Sequence, residues 1–453
     1  MSLISARNLP PKPASISDTG LSINFIADLA LKIMYARNLT VGQDIAESIR
    51  LPLAGVVDKL LESLRLQRLI EVSGSTGLGR SLYRYAISQS GRERARELME
   101  QNEYIGPAPV TLEAYSQMVK AQSTASQVLS HDDLKRVLSH LVLGDTIIDQ
   151  LGPAINSRRS IFLFGSTGNG KTSIGLAIGS MLPGAIWIPY AVTVEGQIIK
   201  LFDALHHRAI SDSLHDEEPA TERSGLLSHL SRAKVSEDEA AAPAAQSEPR
   251  YDRRWIRIHR PLIISGGELT LKNFSLVLDP TTRYYEAPQQ MKANGGVFLV
   301  DDLGRQTVSP REILNRWIVP LEKQVDYLTL ASGFKFPVPF DALILFATNL
   351  NPEQVADEVI LRRIHNQVHI PDPTWAEFRE IFRREAANRT IPYSDDCLQH
   401  IIMEYYVKWK RRPRGVHPRD LLDELVDVAH FQGVPPIMSI ELMDVACRSY
   451  FLV

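Results

Sequence analysis

The chain contains very little cysteine. Cys397 and Cys447 are the only two among 453 residues. Two isolated thiols cannot form a disulfide framework, and they lack the paired spacing of a zinc site. The sequence therefore excludes a small disulfide-stapled fold and a cysteine-ligated metal centre, and it fits a reducing compartment.

Long apolar runs and an excess of charge are also missing. Nowhere do about 18 apolar residues follow one another, and the opening MSLISARNLPPKPAS lacks the apolar core of a signal peptide. We therefore expect a cytoplasmic protein without a membrane span. The formal net charge is −3, so no global field attracts nucleic acid or an anionic membrane, and any such contact must come from a local patch.

The front of the chain has the pattern of a small domain. The length predicts two or three domains, and the proline-containing residues 1–19 are expected to form a flexible leader. Residues 20–104 contain three helical patterns, two β-rich runs around a glycine-rich stretch, and a closing helix. This order resembles a winged-helix domain, with residues 52–66 as its third helix and residues 73–81 as its wing.

The partner of this front domain stays open between two alternatives. In winged-helix domains the third helix can lie in the DNA major groove while the wing contacts phosphates. Here DNA contact would fall on Lys59, Arg65 and Arg80. Because Asp58 and Glu62 lie among these residues, the basic footprint is thin, and docking of a protein is an equal alternative.

The most specific motif is IFLFGSTGNGKTS at residues 161–173. An apolar run predicts a buried strand, a glycine-rich turn follows, and a helical pattern comes next. In this phosphate loop, backbone N–H groups and the helix start face phosphates, the lysine adds charge, and the hydroxyl ligates Mg²⁺. The predicted nucleotide-binding residues are Gly165, Ser166, Thr167, Gly168, Asn169, Gly170, Lys171, Thr172 and Ser173.

A second motif places two acids after an apolar strand. In GGVFLVDDLGRQ, residues 297–300 are apolar and are followed by Asp301 and Asp302. Beside a phosphate loop, this arrangement suits Mg²⁺ and ATP: Asp301 holds the metal through water, together with the Thr172 hydroxyl, and Asp302 orients or deprotonates the attacking water. Alone the motif is weak, but the phosphate loop makes it specific.

Further motifs follow in a characteristic order. LILFATN ends in Asn349, LRRI contains Arg362 and Arg363, and RGVHPRDLLDEL contains Arg419. Taken singly, these residues fit a strand-end turn, solvated charges and a surface pair. Together with the two nucleotide motifs, they resemble the AAA+ ATPases over residues 125–453.

This resemblance implies a fold and a set of roles. The expected fold is an α/β P-loop domain with a parallel sheet at residues 125–371, followed by a C-terminal helical lid at 372–453. Asn349 would be the polar sensor, Arg419 the second sensor, and Arg362 or Arg363 the arginine finger, with the pairing of LRRI to the family motif favouring Arg363. A finger that acts on a neighbour implies a ring, expected to be a hexamer.

Within that superfamily the chain resembles the MoxR-like branch. Its counterparts of the branch motifs are APQQMKANGG, DDLGR, a hairpin at residues 326–340, and Pro418 with Arg419. Asp302 stands where the branch has a glutamate, and its shorter reach predicts slow hydrolysis or a closer geometry. The front domain and residues 211–250 are additions to the branch's usual core.

The remaining segments complete the expected organisation. Residues 105–124 are predicted to be a linker, 131–151 one helical run, 184–192 one apolar strand, and 281–291 a loop. Residues 211–250 are rich in Asp, Glu, Ala, Pro and Ser, which predicts a flexible surface insertion.

The sequence supports two functional hypotheses. The first is a MoxR-like, Mg²⁺-dependent ATPase ring that remodels or assembles a protein partner recruited by the front domain. The alternative is an ATP-switched DNA-binding regulator that uses the winged-helix-like domain.

Overall fold

The computed structural model describes residues 9–75, 83–123, 128–210 and 250–452. Its first region consists of helices and an antiparallel hairpin. Ser22 and Ser88 cap two of these helices, because their hydroxyls accept the backbone N–H groups of Phe25 and Gly91. The elements are α1 (Ile23–Arg37), α2 (Gly42–Ile49), α3 (Asp58–Leu66), β1 (Ile70–Ser75), β2 (Tyr83–Ile87) and α4 (Gln89–Gln101).

The third helix is shorter than the sequence predicts. The chain departs from helical geometry at Ala54, which has an extended ψ of 131°, and at Gly55, which has a φ of +82°. A Cβ on Gly55 would lie 2.4 Å from the carbonyl oxygen of Ala14, so glycine is needed for this close approach. The expected wing lies partly outside the described residues, as does Arg80, and the winged-helix assignment stays a prediction.

The segment expected to be a linker, residues 105–124, instead contains a strand and a helix. Tyr115 and Val119 are 1% and 8% exposed and share one face of the helix, so this prediction is wrong. The helices and strands between residues 110 and 181 are β3 (Val110–Thr111), α5 (Leu112–Ala121), α6 (His131–Val137), α7 (Asp145–Asn156), β4 (Ile161–Phe164) and α8 (Lys171–Met181).

Two further predictions are corrected in the middle of the chain. The helical run at 131–151 is divided into separate helices, because residues 141–144 are not helical. The apolar stretch 184–192 bends at Tyr190 into two strands of different sheets. The strands that follow α8 are β5 (Ala185–Pro189), β6 (Ala191–Val194), β7 (Gln197–Lys200), β8 (Trp255–His259) and β9 (Leu262–Ser265).

The predicted loop at residues 281–291 contains a short strand and a helical turn. The predicted strands before and after the hairpin, the hairpin itself and its preceding helix are confirmed. These elements are β10 (Val277–Leu278), β11 (Tyr285–Glu286), α9 (Gln289–Lys292), β12 (Val297–Val300), α10 (Pro310–Lys323), β13 (Val325–Thr329), β14 (Lys335–Pro339), β15 (Leu343–Thr348), α11 (Pro352–Val355), α12 (Glu358–Leu361) and β16 (Asn366–His369).

A five-stranded parallel sheet forms the centre of the molecule. Its order is β16–β4–β15–β12–β9, and each neighbouring pair is parallel. The strands β4, β15 and β12 are almost entirely apolar and buried because helices cover both faces of the sheet, whereas the edge strand β16 reads Asn-Gln-Val-His. Ile161 and Leu163 pack with α7 and α8 on one face, whereas Phe162 packs with Trp317 of α10 on the other.

Small residues bring α8 close to the sheet. A Cβ on Gly175 would lie 2.9 Å from Leu299 of β12, and one on Gly179 would lie 2.7 Å from Leu262 of β9. Larger side chains there would push the helix away, so the two glycines set the distance between α8 and the sheet. This distance places the start of α8 over the sheet edge.

The front region packs on a second, mixed sheet with the order β10–β11–β7–β6–β3. Ala191 and Ile198 of this sheet belong to the same apolar core as α1 to α4. Arg254 forms a buried ion pair with Asp252 at 2.8 Å and donates to the carbonyl oxygens of Thr19 and Pro109. These contacts hold the front region against the centre of the chain.

The C-terminal region is helical, as predicted. Thr374 and Glu377 form a capping box at its start, and the helices share one apolar core. They are α13 (Trp375–Asn388), α14 (Asp395–Ile401), which continues as a π-helical turn at Ile402–Val407, α15 (His417–Gln432) and α16 (Ile440–Phe451). The α/β fold with a parallel sheet and a helical C-terminal region is thus confirmed.

None of the helices within the described residues is long and apolar enough to cross a membrane. The predicted insertion falls outside the described ranges at residues 211–249. Its flanks are ordered, because Ala209 bridges Ile258 and Tyr251 bridges Pro11.

Candidate nucleotide site

The sequence motifs meet at one edge of the parallel sheet. Thr348 pairs with Phe164, so β4 and β15 end at the same level. Val300, the last residue of β12, pairs with Phe346, so β12 ends two residues earlier at the same edge of the sheet. The residues that follow these ends are Gly165, Asn349 and Asp301. The carboxyl edge of a parallel sheet is where such folds bind ligands, and here it carries the predicted phosphate loop and both acids.

The phosphate loop, residues 165–173, needs its glycines. Gly165, Gly168 and Gly170 have φ values of 144°, 84° and 83°, which disfavour residues with a side chain. A Cβ on Gly165 would also lie 2.1 Å from the carbonyl oxygen of Ile370. Gly170 precedes α8, and no side chain caps this helix, so its first N–H groups are directed toward the loop and favour an anion.

Lys171 folds back over the loop. Its ammonium donates to the carbonyl oxygens of Gly165 at 3.0 Å and Ser166 at 2.9 Å. Burial lowers the pKa of Lys171, Asp302 and Asp301 oppose this shift, and the charge of Arg414 adds to it. A cation held this way over a helix start is suited to phosphate oxygens, which are stronger acceptors than carbonyls.

Thr172 and Asp301 are in direct contact. The Thr172 hydroxyl lies 3.0 Å from Oδ1 and 2.9 Å from Oδ2 of Asp301. Asp301 is held in place because its backbone N–H donates to Ser265 at the end of β9. The hydroxyl and carboxylate therefore lie together beside the phosphate loop, and both are oxygen ligands of the kind that Mg²⁺ prefers.

Asp302 lies beside these residues in a left-handed conformation. Its φ is 49°, a region in which Asp and Asn are enriched among residues with a side chain. Its backbone N–H donates to Oδ1 of Asp301 at 3.0 Å, and its side chain is exposed. The turn thus fixes the backbone of Asp302 and leaves the carboxylate accessible to solvent.

Asn349 is also exposed at this edge. The preceding Thr348 is fully buried, and its hydroxyl donates to the carbonyl oxygen of Leu303. This bond joins the end of β15 to the turn after β12. The strand register therefore places Asn349 next to the start of the phosphate loop.

Arg362 and Arg363 lie at the opposite edge of the sheet. They directly precede β16, whose first residue, Asn366, pairs with Ile161 at the start of β4. Arg362 pairs with Glu358 at 2.5 Å, and Arg363 with Glu322. The strands separate these arginines from the phosphate loop of the same chain.

Arg419, the expected second sensor, lies at the surface of the helical region. It pairs with Asp420 at 3.0 Å, and its side chain is 57% exposed. Arg414, which the sequence analysis did not single out, lies against the loop: its Cβ is 4.0 Å from a Cβ built on Gly168. The short distance in sequence between Arg414 and the pair Pro418–Arg419 is the one signal that could have drawn attention to Arg414. Only the fold shows that Arg414 lies against the loop.

The rest of the loop is tied to the helical region. Asn169 donates to Pro371 at 3.1 Å and Asp372 at 2.8 Å, and accepts the N–H of Gly415. Burial would raise the pKa of Asp372, but hydrogen bonds from Asn169 and Ser166 and the charge of Arg414 hold it below its usual value. Thr167 is exposed and Ser173 is half-buried.

In the front region, acids lie among the basic side chains that were expected to contact DNA. Lys59 is exposed, but Arg65 lies 3.9 Å from Glu62. Arg65 also shares a cavity of about 550 Å³ with Asp58 and Glu62. Among the described residues of this face, the acids therefore offset the bases, which does not favour DNA.

A family model matches only the C-terminal part of the chain. A family model described as a domain of unknown function, DUF8689, matches residues 374–449, which contain the helical region. No curated protein matches the chain.

Two solved structures share a distant likeness in fold. NtrX from Brucella abortus, in complex with ADP, is 15% identical with a TM-score of 0.37, and the match covers 68% of this chain and 56% of NtrX. The RuvB Holliday junction branch migration motor of Thermotoga maritima is 10% identical with a TM-score of 0.34, covering 68% and 69%. This chain thus spans little more than half of NtrX, and similarity at this level carries no functional argument.

Proposed function

We propose that the chain is a Mg²⁺-dependent AAA+ ATPase of the MoxR-like kind, which hydrolyses ATP to ADP and phosphate. The observation that carries this proposal is the meeting of Lys171, Thr172 and Asp301 at the carboxyl edge of the parallel sheet. The Thr172 hydroxyl contacts both oxygens of Asp301, and the lysine lies over the loop. These groups suit a nucleoside triphosphate better than a single phosphate, because positive charge and backbone N–H donors extend along the loop.

The chemistry of the ligand set fits Mg²⁺. Thr172 and Asp301 would hold the ion, with Asp301 acting directly or through water. The described residues contain no group of three or more acidic, His or Cys side chains that could hold a metal. That agrees with Mg²⁺, which uses one or two protein oxygens and takes its other ligands from water and phosphates. When bound, the ion neutralises charge that develops on the phosphates.

The roles of the protein groups follow from their positions. Lys171 binds phosphate oxygens, Asp302 orients or deprotonates the attacking water, and Asn349 helps to position that water or the terminal phosphate. Asp302 is held by its turn and has a short side chain, so hydrolysis requires close approach of the water. Arg414 couples nucleotide binding at the phosphate loop to the helical region. Arg419 keeps its proposed role as second sensor, which requires a change of its side-chain rotamer.

A second copy is needed to complete this site. Arg362 and Arg363 lie across the sheet from the phosphate loop of their own chain, so one of them can act as a finger only on a neighbour's nucleotide. Such a contact is worth about 10³–10⁵ in rate. We propose a ring, as a hexamer, in which the front region recruits a protein partner for remodelling or assembly. No observation favours the DNA-binding alternative.

The test is ATP turnover by the purified full chain with Mg²⁺. Lys171→Ala should abolish turnover and weaken ATP binding, whereas Lys272→Ala, an exposed lysine after β9, should resemble the wild type. Arg363→Ala should still bind ATP but lose ATP turnover. Its mass in solution should respond to nucleotide as that of the wild type does, because the variant still assembles. Equal turnover in wild type and Lys171→Ala would overturn the enzymatic proposal, and a monomer under all nucleotide conditions would overturn the ring.

A further inference from the structure

A cavity of about 520 Å³ lies at the amino edge of the parallel sheet, away from the phosphate loop. It is built by the segments that lead into β4, β12, β15 and β16, together with the end of α10. Arg362 and Arg363 form part of its wall, but most of the wall comes from residues outside every sequence motif. The cavity is therefore built mainly by residues other than the expected finger arginines.

The charge of this cavity contrasts with that of the chain. Its lining contains five Lys and Arg side chains and two acids, whereas the chain as a whole has a formal charge of −3. The basic residues are Arg158, Arg159, Lys323, Arg362 and Arg363, and His365 lies beside them. Clefts lined by one sign of charge concentrate ligands of the opposite sign.

The two acids only partly offset this charge. Glu322 pairs with Arg363. Asp341 accepts a hydrogen bond from Ser123 at 2.9 Å, and it faces the charges of both Arg158 and Arg260. Arg260 in turn uses its donors on backbone carbonyls of Pro183, Gly295 and Gln122. Arg362 is also paired, with Glu358 outside the lining. With Arg260 counted, the basic side chains at the cavity still outnumber the acids.

A buried hydroxyl supplies an independent observation. Ser160 lines the cavity and is only 3% exposed, yet its Oγ has no hydrogen-bond partner among the described residues. A buried polar group without a partner costs free energy. A ligand oxygen at this position would satisfy the hydroxyl. The neighbouring Arg159 is exposed and can turn toward the same ligand.

We propose that this cavity binds the phosphate groups of a nucleotide, through Arg158, Arg159 and Ser160 as well as the finger arginines. Arginine forks match phosphate oxygens in pairs, and several arginines suit a chain of phosphates better than a single carboxylate. The phosphates come either from free nucleotide or from the nucleotide bound by a neighbouring copy. The second source rests on the proposed ring, and the first does not.

The first arm of the test uses tripolyphosphate as the probe and Lys171→Ala as the protein, so that the phosphate loop is disabled. Calorimetry at low salt should detect binding if the cavity takes free phosphates. Adding Arg159→Ala should weaken that binding at least about tenfold, the usual effect of losing a charge-assisted hydrogen bond. Adding Arg136→Ala, which removes an arginine that is 76% exposed on α6, should leave binding unchanged.

The second arm tests phosphates carried by a neighbour. Arg159→Ala should then lower ATP turnover about tenfold or more without weakening ATP binding, and Arg136→Ala should not. Mixing Arg159→Ala with Lys171→Ala should restore part of the turnover, because one protein supplies an intact phosphate loop and the other an intact cavity.

The outcomes separate cleanly. Binding in the first arm that depends on Arg159 supports free phosphates, and complementation in the second supports a neighbour's nucleotide. Tripolyphosphate binding that ignores Arg159→Ala, or no binding together with normal Arg159→Ala turnover, would overturn the proposal. If the wild type neither binds nor hydrolyses ATP, the proposed function fails, and the first arm alone decides the cavity.

Discussion

The side chain of Asn169 donates to the carboxylate of Asp372 at 2.8 Å, which joins the phosphate loop to the segment that begins the helical region. The same amide contacts Pro371 and Gly415. Asn169 is only 8% exposed, whereas Asp372 and Gly415 are half-buried, so water competes only partly for these bonds. A loop held in this way can pass a change at the phosphates to the helices.

Asn169→Ala should destabilise the chain by about 1–3 kcal/mol, because it removes three hydrogen bonds, one of them to a carboxylate. Chemical unfolding of Asn169→Ala, Asp372→Ala and the double variant measures the coupling between the two side chains. We expect the double variant to lose less than the sum of the single losses. Simple additivity would show that the contact does not stabilise the protein.

Asp302→Asn should still bind ATP, but its rate of ATP hydrolysis should fall by a factor of about 10²–10⁴, the range for removal of a general base. Asn tolerates the left-handed backbone that residue 302 adopts, so the turn should be preserved. The paired measurements are ATP affinity and steady-state hydrolysis. Turnover close to that of the wild type would assign the water-activating role to another group.

Arg414→Ala should weaken ATP binding about tenfold, the scale of one hydrogen bond to a charged group. The reason is that Arg414 lies against Gly168, and its guanidinium is 3.6 Å from Asp372. Arg419→Ala is the matched comparison, since Arg419 pairs with Asp420 at the surface. A larger effect of Arg419→Ala on ATP affinity would support Arg419 as the second sensor.

The stability of the helical region should depend on His417 in mildly acidic solution. Burial lowers the pKa of His417 to about 4, and the charge of Arg414 adds to the shift. In an unfolded chain the imidazole titrates near pH 6.5, so the unfolded state binds the proton first as the pH falls. Stability should therefore decrease from about pH 6.5 toward pH 4.

His417→Gln should remove this part of the pH dependence. The measurement is the thermal unfolding midpoint of both proteins between pH 7 and pH 5. His207, whose pKa burial also lowers to about 4, is present in both proteins, so the difference between their profiles isolates His417. Parallel profiles would show that His417 does not titrate differently on folding.

Local patterns were sufficient where one segment contains the whole signal. The apolar runs at 161–164, 297–300 and 343–347 predict buried strands because their length and composition suit a sheet covered on both faces. The glycines of the phosphate loop, with Lys171 and Thr172, are specific because their spacing is itself the geometry of the site. The hairpin and the helical C-terminal region follow from equally local periodicity.

Patterns misled where backbone geometry or pairing depends on distant residues. The turn at Gly55 exists because the backbone of Ala14 lies against it. The supposed linker is ordered because Val110 and Thr111 pair with β6 and Tyr115 is buried in a core built from other segments. The bend at Tyr190 divides one apolar stretch between two sheets, which no periodicity within that stretch can reveal.

By itself, the amino-acid sequence determined the α/β composition, the phosphate loop and the acids that follow a strand, because these depend on short-range spacing and on backbone preferences. Only the tertiary structure decided that Thr172 contacts Asp301, that Arg414 reaches the phosphate loop, and that Arg362 and Arg363 lie across the sheet beside Arg158 and Arg159. The reason is physical: strand order and helix packing bring together residues that are far apart in the chain, and charge and desolvation act through space.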